Sequence, residues 1–200
     1  MSEARWFSRR EALLGVSGGL ALSSVPHWAR AAADPREQQY PVITKLLATE
    51  LKSITPSVKK QVKLYPCLAT LTDGRQLDGV YMIAAGDFLK IEDPESRTVL
   101  PLGRVAHIEE SPTRLPAKLA DKIYRSGESA MGYYLFTLVF DNGEHLPCRT
   151  GDSVDFVDLP RSFADKKIVN VLPHVGQKVV PAGKPQGHSA AAVWCPFRAA

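Results

Sequence analysis

The sequence predicts a mainly β protein of two small curled antiparallel sheet or barrel units, each preceded by a short helix. Three observations carry this. Helical periodicity is confined to two short stretches, 41–54 and the residues after Pro116. Each gives way to short apolar runs broken by Asp-Gly or Asn-Gly pairs, which favour tight turns between antiparallel strands. The second half also repeats the punctuation of the first. Gly74 and Gly143 are 69 positions apart, Gly86-Asp87 and Gly151-Asp152 are 65 apart, and Pro94 and Pro160 are 66 apart. Such an offset suggests two related β units, although small β modules also reuse the same turn chemistry of necessity.

The first segment, residues 1–33, reads as an export leader. Arg5, Arg9 and Arg10 precede a moderately apolar stretch at 12–25, too short and too rich in Gly and Ser to span a bilayer. Pro26 breaks it, and Ala29-Arg30-Ala31 and Ala31-Ala32-Ala33 offer small residues at a cleavage site. Ser8-Arg9-Arg10-Glu11-Ala12-Leu13-Leu14 resembles the twin-arginine leader of exported bacterial proteins. It keeps the serine, both arginines and Leu13, and departs at Ala12 and Leu14, where that family prefers an aromatic and a lysine. The resemblance implies a chain that folds before it crosses the membrane. It places the protein in the periplasm or on the extracytoplasmic face of a bacterial inner membrane.

After a polar lead-in at 34–39, Val42, Ile43, Leu46, Leu47, Leu51 and Ile54 form one apolar helical stripe between Pro41 and Pro56. A strand run containing Val62, Leu64, Leu68 and Leu71 ends at Asp73-Gly74, and further strands are expected at 76–84, 88–92, 97–101 and 105–109. Pro116 opens the second helix, with Leu119 and Ile123 on one side, and Gly127 ends it. The most strongly strand-forming segment, 132–140, runs into the turn Asp141-Asn142-Gly143, and short strands follow at 144–148, 153–158 and 167–172. Residues 174–193 are rich in Gly, Pro and Ala and read as a flexible tail ending in Trp194-Cys195-Pro196-Phe197. The divisions expected are therefore 1–33, 34–110, 111–173 and 174–200.

Helix 41–54, followed by TLTDGRQLDGVYMIAAGDFLKI and TVLPLGRVAHIEE, resembles the Sm-like small-barrel family, with Gly74, Gly79 and Asp87 on its pattern. The resemblance covers roughly residues 41–110 and implies a five-strand curled sheet. The interval from Gly79 to Asp87 is longer than in that family, no Asn follows Asp87, and residues 103–109 lack its second motif. RNA binding is therefore not implied. Charge agrees. The chain has a formal net charge of +4, but the leader carries Arg5, Arg9, Arg10 and Arg30 against Glu3 and Glu11. The rest is only mildly basic, apart from a small cluster at Lys52, Lys59, Lys60 and Lys63, and a nucleic-acid partner is not expected.

No catalytic constellation is visible. There is no GxSxG elbow, and Asp152, Asp155 and Asp158, three apart, cannot all share one face of a strand. Asp87 and Asp152 read as turn residues. No CxxC or CxxCH motif occurs, and no cofactor is predicted. The candidate metal pair is His145 and Cys148, with Cys67, His174 or Asp152 as a third ligand; His107 reads as a strand histidine. A Cys67–Cys148 disulfide is conceivable beside the alternative of two separate half-buried thiols, and Cys195 is expected to be free and reactive.

In the strand at 132–140, Tyr134, Phe136, Leu138 and Phe140 point one way, and Tyr133, Leu135 and Val139 the other. Both faces are apolar, so the second requires a cover. Tyr133, Leu135, Trp194 and Phe197 are accordingly the candidate interaction residues. The expected partner is another protein or a second copy of the chain, with membrane contact only through an uncleaved leader or that partner. The function expected is a non-catalytic exported β-domain protein, an accessory or structural subunit of an envelope-associated assembly. The alternative is a periplasmic redox or metal-handling enzyme or accessory using His145 and Cys148.

Overall fold

The computed structural model describes residues 34–91, 93–151, 153–174 and 185–199. Residues 1–33, read above as an export leader, Asp152 and the tail segment 175–184 lie outside the described residues. Helix α1 (Lys45–Leu51) starts where Thr44 Oγ1 accepts from the Leu47 N–H at 3.2 Å. It is shorter than the predicted 41–54 because residues 41–43 are extended, with the Ile43 N–H donating to the Arg198 carbonyl at 2.9 Å. Four of the six stripe residues, Ile43, Leu47, Leu51 and Ile54, are buried together, whereas Val42 and Leu46, expected on the same stripe, are exposed.

The first sheet contains β1 (Ser57–Lys59), β2 (Val62–Leu71), β3 (Gln76–Ala84), β4 (Val105–Glu110) and β10 (Val193–Phe197). Its order is β1-β2-β3-β10, and β4 pairs with the later part of β2. β10 runs parallel to β3, and the remaining pairs are antiparallel. A four-residue helical turn, α2 (Ala85–Phe88), follows β3, and α3 (Ala117–Ser126) leads into the second half. The second sheet holds β5 (Tyr134–Phe140), β6 (His145–Thr150), β7 (Val157–Asp158), β8 (Ile168–His174) and β9 (Gly187–Ser189), in the order β7-β9-β6-β5-β8. Both predicted glycine turns form alike. Gly74 and Gly143 sit at φ +84° and +82°, and their N–H groups donate to Leu71 and Phe140 carbonyls at 2.9 and 3.0 Å.

The curled barrels are not formed. Closure requires a pairing between the two outer strands of a sheet, and neither β10 with β1 or β4, nor β7 with β8, makes one. The described residues form a mixed α/β fold with two open sheets and three α-helical segments. Apolar faces that a barrel would enclose by curling are covered by other elements. One side of the first sheet (Cys67, Ala69, Val80, Met82, Cys195) packs with α1. The other side contributes Leu64, Tyr81, Ile83 and Trp194 to a core shared with Tyr134, Phe136 and Leu138 of the second sheet and Ile123 of α3.

Three predicted strands also change. Residues 88–91 form a turn, with Leu89 and Lys90 N–H groups bonded locally to the Ala85 and Asp87 carbonyls, because β10 occupies the edge of β3. The 97–101 stretch makes a single bridge, Val99 to Trp194. Of 153–158 only Val157 and Asp158 pair as a strand. Val154, Asp155 and Phe156 are buried in irregular backbone whose groups bond to the Tyr124 hydroxyl, Leu115 and Ala190.

The C-terminal tail is a strap between the sheets. β9 adds to β6 and β10 to β3, so Trp194 and Phe197 are largely buried inside this chain. The alanine-rich run between the two strands has no periodicity; the edges of β3 and β6, the pairing of β9 with β7 and the Ala190 N–H donating to the Phe156 carbonyl at 3.1 Å fix its conformation. Gly187 marks how closely it packs: a Cβ there would lie 2.5 Å from Cys148 Sγ. Among the described residues no helix is long and apolar enough to cross a membrane.

Candidate functional site

A cleft of about 230 Å³ lies beside the β1–β2 hairpin. Its floor is apolar (Val62, Leu64, Ile91 and Trp194) and its rim carries Lys59, Lys60, Lys90 and Glu128. The hairpin loop consists of Lys60 and Gln61 alone, between the paired residues Lys59 and Val62. A two-residue hairpin loop of this kind needs positive φ at both positions, which Asn-Gly supplies easily. Here the positions are φ +46° at Lys60 and +75° at Gln61, in side chains that disfavour that region.

The hairpin is held in this strained form from below. The Val58 N–H donates to Asp121 Oδ1 of α3 at 3.1 Å, and Ser57, fully buried, donates to Asp155 Oδ1 at 2.5 Å. At the tip, Lys60 Nζ donates to Glu128 Oε1 at 3.2 Å. Lys90 Nζ lies 3.0 Å from Asp87 Oδ1, and Lys59 Nζ lies 5.8 Å from the centre of the Tyr134 ring. Burial pushes the Glu128 carboxyl up. The Lys60 hydrogen bond, the Gly132 N–H and the charges of Lys60 and Lys59 outweigh it, and hold the group below the usual carboxylate value. The cleft combines a cationic rim with apolar surface, a pattern suited to an anion with a hydrocarbon or aromatic part.

Beneath the hairpin lies a buried polar network that joins both halves. Asp155 is completely buried and accepts from Ser57 and Arg114 Nη2 (3.1 Å) on one oxygen and from Tyr81 (3.1 Å) and Tyr124 (2.9 Å) on the other. Arg114 also donates to the Leu115 and Thr55 carbonyls, Ser57 and Glu110. Burial lifts the Asp155 carboxyl above its ordinary value, against the opposing pull of Ser57, Arg114, Tyr124 and Tyr81. Burial and the neighbouring Asp155 charge hold both phenols well above theirs. Every hydrogen bond to Asp155 comes from a donor, and the carboxylate has no solvent-exposed surface. This cluster positions the hairpin and presents no reactive group to a ligand.

Of the candidate residues singled out in the sequence, Trp194 lines the cleft and the others fall elsewhere. His145 and Cys148 lie three apart on β6, so the strand pleat sends them to opposite faces: His145 is exposed and Cys148 is in the shared core. They cannot hold one ion together. His174 has its ring Nε2 2.9 Å from Thr137 Oγ1, and burial lowers its pKa. His107 pairs with Glu50 at 2.9 Å. Among the described residues no group of three His, Cys, Asp or Glu side chains could hold a metal. Cys67 and Cys148 are free thiols in different core clusters and form no disulfide. Cys195 is buried, and desolvation pushes its thiol up to about 12, which removes the reactivity expected of it.

Tyr133 and Leu135 are half-buried on the outer side of the second sheet, and the Arg149 guanidinium stands 4.4 Å from the Tyr133 ring centre. Lys90, Glu128 and the cleft-facing role of Trp194 were missed from sequence. The available signal was the pair of polar residues Lys60-Gln61 between two β-forming runs, beside the lysine cluster already noted. No family model, curated protein or solved structure matches the chain.

Proposed function

We propose that this chain is a non-catalytic, exported binding protein that takes an anionic ligand with an apolar part into the cleft beside the β1–β2 hairpin. The observation that carries this is the convergence of Lys59, Lys60 and Lys90 around a floor of Val62, Leu64, Ile91 and Trp194. The ammonium groups select charge, and the floor supplies affinity of about 25 cal/mol per Å² of apolar surface covered. Strain at Lys60 and Gln61 supports a positioned tip, since backbone strain persists where the surroundings over-determine it. The twin-arginine-like leader supports an extracytoplasmic setting.

The test is equilibrium binding of a matched set: octanoate, octylamine and octanol. Octanoate should bind, octylamine should not, and raising salt should weaken octanoate binding. Lys60→Ala and Lys90→Ala should each weaken it several-fold. Equal binding of octanoate and octylamine, or unchanged binding by both variants, would overturn the reading.

A second reading, the accessory or structural subunit, rests on the outer face of the second sheet, where Leu172 is 41 % and Val169 is 47 % exposed beside half-buried Leu135 and Val139. Its test is co-purification of a stoichiometric partner from the envelope. A partner retained by Leu172→Asp as well as by the parent chain would count against this face.

A further inference from the structure

We propose that Glu128 is a built-in competitor for the cleft, and that an anionic ligand binds by displacing the Glu128 carboxylate from Lys60. This inference rests on the ligand reading above and assigns the regulation of that same site.

Four observations place Glu128 in this role. Its Oε1 accepts from Lys60 Nζ at 3.2 Å, and its side chain is among the groups that line the cleft. The Glu128 side chain is 23 % exposed while that of Lys60 is 75 % exposed, so the carboxylate lies inward of its partner, toward the apolar floor. Both Lys60 and Lys59 act electrostatically on this one carboxylate. Its other oxygen accepts from the Gly132 N–H at 3.4 Å, a long contact.

Glu128 is also placed to leave. It stands outside α3, one residue beyond Gly127 at φ +86°, and before Gly132 at φ +79°. Rotation of one exposed-side ion pair costs little, because such pairs contribute about 0–1 kcal/mol. The ligand's anionic group then takes over the lysine contacts, and Glu128 turns to water. One carboxylate replaces another, with no net change in charge at Lys60. Ligand affinity is consequently lower than the lysine rim alone would give, and selectivity rises, because a neutral amphiphile cannot displace Glu128.

The experiment uses the full chain carrying Trp6→Phe and Trp28→Phe, in which Trp194 of the cleft floor is the one remaining tryptophan. Octanoate and octanol are titrated against Trp194 fluorescence, in parallel with Glu128→Gln and Glu128→Ala, with thermal melts confirming that each variant folds. Both variants should bind octanoate roughly three- to five-fold more tightly, matching loss of one exposed ion pair. They should also narrow the preference for octanoate over octanol.

Equal octanoate binding by parent and variants would overturn the Glu128 inference and leave the ligand reading standing. Binding of octanoate by none of them would overturn both. Weaker binding in the variants would show that Glu128 contacts the ligand directly and would overturn displacement. Titration with 2-aminooctanoate separates that case: tighter binding to the parent than to Glu128→Gln would identify a zwitterion held by Glu128 and the lysines together, and would also overturn displacement.

Discussion

The two sheets share a plan and differ in how they are covered. In each, a hairpin with a glycine turn (β2–β3, β5–β6) receives a third strand antiparallel to its first strand (β4, β8) and a C-terminal strand parallel to its second (β10, β9). In each half a helix precedes the hairpin. Yet the first sheet is buried on both faces, by α1 and by the shared core, while the second is buried on one. Its outer face keeps Thr137 buried but leaves Leu172 and Val169 open. The same strand order therefore yields a sandwiched platform in one half and a surface in the other. The position of the helix makes the difference: Leu47 and Leu51 of α1 lie on the side of the first sheet away from the shared core, whereas Ile123 and Tyr124 of α3 are inside that core.

The sharpest way to break this comparison is at the network that joins the halves. Arg114→Met should destabilise the protein by about 3–5 kcal/mol, because Asp155 is left buried without its counter-charge. Denaturant unfolding checks this. A loss under about 1 kcal/mol would mean that the halves are joined by apolar packing alone. Next, Leu138→Ala on the inner face of β5 should cost about 2–5 kcal/mol, and Leu172→Ala on the outer face of β8 well under 1 kcal/mol. Equal costs would show that the outer face is covered in solution.

The strap offers a third test. Gly187→Ala should cost about 1–3 kcal/mol through the clash with Cys148 Sγ, and Cys148→Ala in the same chain should recover part of that loss. A strictly additive double variant would place the strain elsewhere.

Alkaline pH probes the network more gently. Tyr81 and Tyr124 have folded-state pKa values raised well above 10.0. Their contribution is thus fully present below the unfolded tyrosine value and is lost as pH rises through about 10 and beyond. The denaturation midpoint should fall across that range, and fall less in Tyr124→Phe. The smallest effect is a gain. Gln61→Gly should stabilise by roughly 0.5–1 kcal/mol by relieving the left-handed position while leaving Lys60 in place. No gain would mean that the hairpin turn is not strained in solution.

Much of the local structure was legible because it depends on local chemistry. Ile43, Leu47, Leu51 and Ile54 of the apolar stripe, the turns at Gly74 and Gly143, and the inward set Tyr134, Phe136, Leu138 and Phe140 all follow from period and turn preference, while Val42 and Leu46 of the same stripe stay exposed. The cleft was only hinted at. Lys59 and Lys60 stood in a visible cluster, but Lys90, Glu128 and Trp194 are 30, 68 and 134 positions from Lys60, and no local pattern links them. Asp155 illustrates the same limit: in sequence it is one of three aspartates spaced by three that cannot share a strand face, and only its position among Ser57, Tyr81, Arg114 and Tyr124 makes it the hub of the buried network.

By itself, then, the sequence determined α1 and α3 in outline, the two glycine-turn hairpins β2–β3 and β5–β6, and the inward face of β5, since those rest on side-chain periodicity and on the conformations glycine allows. β1, its hairpin with β2, and α2 were not read from it. Tertiary structure decided what covers each apolar side. The sheets stay open because α1, the opposing sheet and the C-terminal strap cover surfaces that a barrel would have curled to bury. Burial lowers the free energy by area removed from water and is indifferent to which segment supplies the cover. Strand–edge hydrogen bonds share that indifference to sequence, so a tail with no periodicity of its own became two strands and carried Trp194 under the lysine cleft.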